Sequence, residues 1–144
     1  MRILFATPEV SDFMQVGGLA AVSAALPRAL RDFADVRVII PGYPAVLRGL
    51  QDLKTVGGCR SFAALPAFEV DIGHAADGLS YYVVRCQELY ERDGTPYADG
   101  YGADWGDNNV RFATFSYAAA QLARGLVDSD WAADSSTRTT GNAR

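Results

Sequence analysis

An apolar run from Ile3 to Ala6 stops at Thr7-Pro8-Glu9. After a polar loop, the pair Gly17-Gly18 opens an apolar helical pattern that runs to about Asp32. Asp35-Val-Arg-Val-Ile-Ile40 follows as a second strand, closed by Pro41-Gly42-Tyr43-Pro44. Strand, helix and strand in this order predict a right-handed βαβ unit with parallel strands, so the chain is constrained to an α/β fold. The glycine pair has two readings. It is a structural turn, or it is an anion site, because glycines let a ligand approach the backbone and first-turn N–H groups have no intrahelical partner.

The helix after the glycines is expected to bury Leu19, Val22, Ala25, Leu26 and Leu30, with Pro27 kinking or dividing it. Residues 45–65 carry no clear period, and Gly57-Gly58 reads as a turn within them. Ala67–Ile72 alternates apolar and polar residues, and Leu79–Val84 is a second β-rich run. Together they predict a hairpin joined by a loop at 73–78, with His74 a solvated loop residue. Residues 88–106, rich in Gly, Asp and Tyr, read as a long loop. Asp107 is expected to cap a helix to about Ala123, with Val110, Phe115, Ala118, Ala119 and Leu122 inward and Gly125 ending it.

Composition bounds the function. The 144 residues, 49% of them hydrophobic, suit one domain with a real core. A net charge of −4 argues against nucleic acid or an anionic membrane as partner, and no apolar run is long enough to span a bilayer. No separate apolar targeting region precedes a cleavage site, so the expected location is cytoplasmic. Cys59 and Cys86 are isolated and read as reduced thiols; no spacing predicts a metal site, and no cofactor is expected. Tyr81, Tyr82 and Tyr90 read as packing residues. Glu88, Glu91, Asp93, Asp99 and Asp104 read as a solvated loop rather than as paired catalytic carboxylates.

Four segments, in order, carry a resemblance. They are Gln15-Val16-Gly17-Gly18-Leu19 with the following V-x-x-A-L-P, Pro41-Gly42-Tyr43-Pro44, Glu88–Tyr97 (ELYERDGTPY) and Asp107-Asn-Asn-Val-Arg-Phe112. With the opening strand and Glu9-Val10, they resemble the N-terminal catalytic domain of bacterial glycogen synthases and plant starch synthases, over residues 1–134. The resemblance implies a Rossmann-like domain of a two-domain, GT-B type, retaining glucosyltransferase. Such an enzyme moves glucose from ADP-glucose to the non-reducing end of an α-1,4-glucan. It also implies that Gln15, Gly17 and Gly18 face the donor and that Tyr97 lies near the glucan acceptor. A non-catalytic remnant, or a module that only binds sugar nucleotide or glucan, is the alternative. A different Rossmann-like nucleotide binder lacks its G-x-G-x-x-G fingerprint here.

The chain departs from the family pattern in three places. Gln15 stands where the family has lysine, so it offers hydrogen bonds without charge and leaves the donor nucleotide open. Ala21 stands where the family often has Asp. Residues 135–144, SSTRTTGNAR, are polar where the family continues V-V-H-A-N/H-D-W-Q. Codons permitted for this tail, read one base out of register after an added G, spell V-V-H-A-N-D-W-Q. The expectation is a frameshift after Asp134, to be read from the gene. It carries with it the loss of a core strand and of the domain that completes the active site, leaving a partial N-terminal domain at 1–134.

Overall fold

In a computed structural model, which describes residues 1–14 and 16–138, ten elements build a mixed α/β domain. They are β1 (Arg2–Ala6), α1 (Gly18–Leu30), β2 (Asp35–Pro41), α2 (Pro44–Gly49), β3 (Gln51–Cys59), β4 (Phe68–His74), β5 (Ser80–Arg85), α3 (Gln87–Tyr90), α4 (Asn108–Ala123) and β6 (Ser135–Arg138). One sheet has the order β3-β4-β5-β2-β1-β6. β5, β2, β1 and β6 run parallel, whereas β3, β4 and β5 form antiparallel pairs. The expected β1–β2 pairing holds in the register Ile3↔Val36, and the β4–β5 hairpin pairs Val70 with Val84.

The two central parallel strands are apolar on both faces, as a sheet covered on both sides requires. Leu4, Phe5, Val38, Ile39 and Ile40 are all buried. From β1 the chain crosses through α1 to β2 on one side and later returns to β6 on the other. The carboxyl ends of β1 and β6 therefore form a topological switch point, the place where open α/β sheets hold ligands.

Four expectations about local structure are corrected. Helix α1 runs unbroken through Pro27 and buries Ala20, Ser23 and Pro27, while Val22 and Leu26 are exposed. Two stripes of the helix have helical spacing, and the one with small side chains faces the sheet. Gly57 and Gly58 are not in a turn but inside β3, where the chain bulges between Thr55 and Gly57. A Cβ at Gly57 would stand 2.1 Å from the Val127 carbonyl oxygen, and one at Gly58 2.6 Å from that of Phe68. Close approach, not a turn, requires these glycines. His74 ends β4, paired with Ser80, and its Nε2 lies 3.2 Å from Asp52 Oδ2. Asp107 stands at the N-cap of α4 but makes no side-chain cap bond. Its carboxylate instead accepts two bonds from Arg92, 2.8 and 2.7 Å long, a bidentate charge-assisted pair that outcompetes a neutral cap.

The end of α4 behaves as expected. Gly125 takes φ +78° and donates to Leu122 O, and Leu126 donates to Gln121 O, the paired bonds of a Schellman motif. The chain then crosses β3 and is pinned by the Tyr82 hydroxyl donating to Asp128 (2.6 Å) and by the Trp131 indole N–H donating to Asp35 (2.9 Å). Asp134 exchanges hydrogen bonds with Arg2 at the start of β1, and the tail enters β6, with Ser135 opposite Ile3. The polar tail thus supplies an edge strand through its backbone; residues 139–144 lie outside the described residues. Neither cysteine is in a disulfide.

An ion-pair cluster ties α1 to its surroundings. Arg28 donates to Asp12 (2.6 Å) in the loop after β1 and to Asp77 (2.8 Å) in the β4–β5 turn, where Arg31 also binds (2.9 Å). The bond from Arg28 lowers the Asp77 pKa from 3.8 to about 2. A carboxylate with a depressed folded-state pKa stabilises the fold above its unfolded value and loses that contribution as pH falls through the folded one. Both partners are part-exposed, so the effect is under about 1 kcal/mol. The urea midpoints of wild type and Asp77→Asn are therefore expected to differ at pH 5 and to converge toward pH 2.5. An unchanged gap across that range would contradict the pairing.

Candidate functional site

The site is built on the carboxyl end of β1. Thr7 is fully buried, and its hydroxyl donates to Glu9 O (2.9 Å) while lying 2.8 Å from the Ser23 hydroxyl of α1. This pair fixes the helix against the strand end. Beyond it the loop folds back on itself. Phe13 and Met14 donate their N–H groups to Val10 O, and Ser11 donates to Ala20 O.

Glu9, only 3% exposed, accepts the Val16 N–H at 3.1 Å through Oε2 and so holds the residue directly before the glycine pair. Sequence reading gave Glu9 no role of its own. The signal for one was an acidic residue at the carboxyl end of the first parallel strand, the edge where ligands bind.

Gly17 and Gly18 stand at the entrance to α1. Gly17 is the N-cap residue with φ −151°, extended backbone that any residue adopts, and no side chain caps the helix. A Cβ at either glycine would meet nothing within 4 Å. The contrast with Gly57 and Gly94 is direct, since a Cβ at Gly94 (φ +119°) would stand 2.5 Å from Ala98 O. Neither the backbone nor the packing of this chain requires glycine at 17 or 18. What the two glycines leave is open space at their Cβ positions, beside a helix start whose first-turn N–H groups have no intrahelical partner. Gln15 lies outside the described residues.

The second candidate region is the loop of residues 91–107, which carries Tyr97. The Trp105 indole donates to Thr95 O (3.1 Å), and the ring lies against the guanidinium groups of Arg92 and Arg111, 5.0 and 5.2 Å from their Cζ atoms. Asp99 accepts the N–H groups of Tyr101 and Ala103, and Asn108 donates to Tyr97 O (3.0 Å). Tyr97 is 5% exposed, with its ring stacked on Phe112 at a centroid distance of 5.8 Å. Tyr81, Tyr82 and Tyr90 are core residues, and burial pushes their hydroxyl pKa values up. Arg111, part of the Asp107–Phe112 segment but given no role of its own from sequence, is buried in the first turns of α4. Its burial went unseen because a charged residue on the inner face of a helix looks, by period alone, like an outward one.

Among the described residues, no group of His, Cys, Asp and Glu side chains could hold a metal ion, and no helix is long and apolar enough to cross a membrane.

Comparison with known proteins matches this sequence to a family. The family model for the starch synthase catalytic domain matches residues 2–135. Glycogen synthase 1 of Bradyrhizobium diazoefficiens is 54% identical over 125 residues, covering 87% of this chain and 27% of that protein. The glycogen synthase of Pseudomonas syringae pv. syringae is 50% identical over 130 residues, 90% of this chain and 27% of its own length. That of Pseudomonas aeruginosa is 48% identical over 130 residues, 90% and 25%. The chain thus spans about a quarter of the length of these relatives. With a family match across nearly all of its described length, and with the glycine turn at the switch point of a parallel sheet, this chain belongs to the starch synthase catalytic domain family.

Proposed function

We propose that this chain forms the N-terminal wall of a glucosyl-donor cleft. The fuller enzyme would be a GT-B type, retaining glucosyltransferase that moves glucose from ADP-glucose to the non-reducing end of an α-1,4-glucan. The observation that carries the reading is the glycine pair: two residues whose missing side chains the fold does not need, opening onto free space at a helix start. Backbone N–H groups there would stabilise negative charge on the departing nucleoside diphosphate, electrostatic catalysis by donors already in place. Glu9 would position the turn through Val16, and Gln15 would offer the donor a neutral hydrogen bond. Tyr97, packed on Phe112, would shape the acceptor side of the cleft rather than offer it both ring faces. The proposed location is the cytoplasm, and the reaction needs no metal or cofactor in this reading.

A second reading, binding without turnover, is favoured for residues 1–144 taken alone. It spans about a quarter of its relatives, and a cleft needs two walls. Purified 1–144 is expected to bind ADP-glucose weakly, with a dissociation constant of roughly millimolar order, and to elongate no maltooligosaccharide. Sustained ADP-glucose-dependent elongation by this chain would overturn the second reading and leave the first intact. Failure to bind either ADP-glucose or maltooligosaccharide would remove the first.

A further inference from the structure

A cavity of about 150 Å³ opens beside Met14 and does not include Gly17 or Gly18 among its walls. It is well above the roughly 10–15 Å³ that one water requires. Three cations line it: Arg48 of α2, Arg92 of the 91–107 loop and Arg111 of α4. Two anions bear on them. Asp107 is engaged bidentately by Arg92, and Asp93 lies exposed on the cavity wall.

Arg111 sets this cavity apart. Its side chain is 1% exposed, yet it pairs with no carboxylate among the described residues. Among the described residues, Nη1 reaches only Asn108 Oδ1 at 3.3 Å, and Nε–H has no acceptor. The faces of Tyr90 and Trp105, at 5.9 and 5.2 Å, offset part of the charge. Burial without an ion pair pushes the Arg111 pKa down. The Tyr43 hydroxyl, on the same wall, is also buried and has no hydrogen-bond partner among the described residues. Native interiors satisfy nearly all such groups, so two unpartnered donors on one cavity point to a ligand that supplies acceptors.

We propose that this cavity binds an oxyanion, a phosphate or phosphomonoester group, at a site separate from the glycine turn. The ligand's oxygens would accept from Arg111 and Tyr43, and Arg48 and Arg92 would add long-range attraction. A planar guanidinium and a phenol O–H are donors suited to such a group. A neutral sugar hydroxyl would leave the buried positive charge uncompensated.

The test is titration of the 144-residue chain with inorganic phosphate, and separately with glycerol phosphate, against sodium chloride at equal ionic strength. Calorimetry and the thermal midpoint are the readouts. The proposal expects saturable binding at one site by at least one of the two probes, and the tighter probe identifies a free or an esterified ligand. Tyr43→Phe is expected to weaken binding about tenfold while leaving the ligand-free thermal midpoint equal or higher, because it removes an unsatisfied buried hydroxyl. Arg48→Gln, at an exposed position, is expected to weaken binding without changing the fold, and Gly18→Val to leave it unchanged. The absence of saturable binding by either probe would overturn the proposal, as would wild-type binding in both Tyr43→Phe and Arg48→Gln. Displacement of the ion by ADP-glucose would overturn the claim of a separate site. Apart from that displacement, none of these readouts involves ADP-glucose, so a failure of the donor-cleft reading remains distinguishable.

Discussion

Gly57→Ala is expected to destabilise the chain by about 3 kcal/mol, a large share of the roughly 5–15 kcal/mol by which a domain is stable. The methyl group would arrive 2.1 Å from the Val127 carbonyl oxygen, and that obstacle is backbone, not the end of a flexible side chain. The crossing segment has little freedom to withdraw. Gly125 reverses the chain just upstream, the Val127 side chain is buried, and Tyr82 and Asp35 hold Asp128 and Trp131. Gly100 is the control, because a Cβ there meets nothing within 4 Å and its backbone is not in the left-handed region. Gly100→Ala is expected to stay within about 0.5 kcal/mol of wild type. Urea unfolding of the two variants checks the account, and equal midpoints would remove the close approach at Gly57.

The second large effect is in binding and has the opposite sign in stability. Gly18 occupies the first turn of α1 in a conformation open to any residue, and its neighbourhood is empty. Gly18→Ala is expected to leave stability unchanged or raise it by about 0.5 kcal/mol, because alanine restricts the unfolded chain. On the donor-cleft proposal, the same methyl group would stand where the donor approaches the backbone. ADP-glucose affinity is expected to fall at least about tenfold for alanine and beyond detection for valine, a loss of more than about 1.4 kcal/mol of binding free energy. A purely structural glycine turn predicts the reverse, with stability lost and binding retained in the folded fraction. Thermal midpoint and calorimetric titration, measured on the same preparations, separate the two.

Much of the fold was legible because period and chemistry agreed. Ile3–Ala6 and Val38–Ile40 are apolar runs that only a doubly covered strand needs, and the alternation over 67–72 with the β-rich run at 79–84 pointed to the hairpin. The end of α4 could be read from Gly125 alone. The misreadings share one cause: contacts distant in sequence decided the outcome. Strand β3, QDLKTVGGC, has little apolar pattern because it lies at a sheet edge, and its pairing with β4 defines it. A Gly-Gly pair reads the same whether it turns or yields to a passing backbone, and Val127, 70 residues after Gly57, settled which. In α1 both the large-apolar and the small-residue stripes have helical spacing, and the Thr7–Ser23 hydroxyl contact marks the side that faces the sheet. At the site, the glycine turn was visible as a local pattern. Glu9, Trp105 and Arg111 were not, because their roles rest on partners that only the folded chain brings near.

The central claim is that the turn at Gly17-Gly18 faces a glucosyl donor. The most direct measurement is an amide-resolved NMR titration of the 15N-labelled chain with ADP-glucose. The account predicts saturable shifts concentrated at the amides of Val16, Gly17, Gly18 and Leu19 and lost in Gly18→Val. Shifts confined to other parts of the chain, or undiminished at the turn in Gly18→Val, would contradict it.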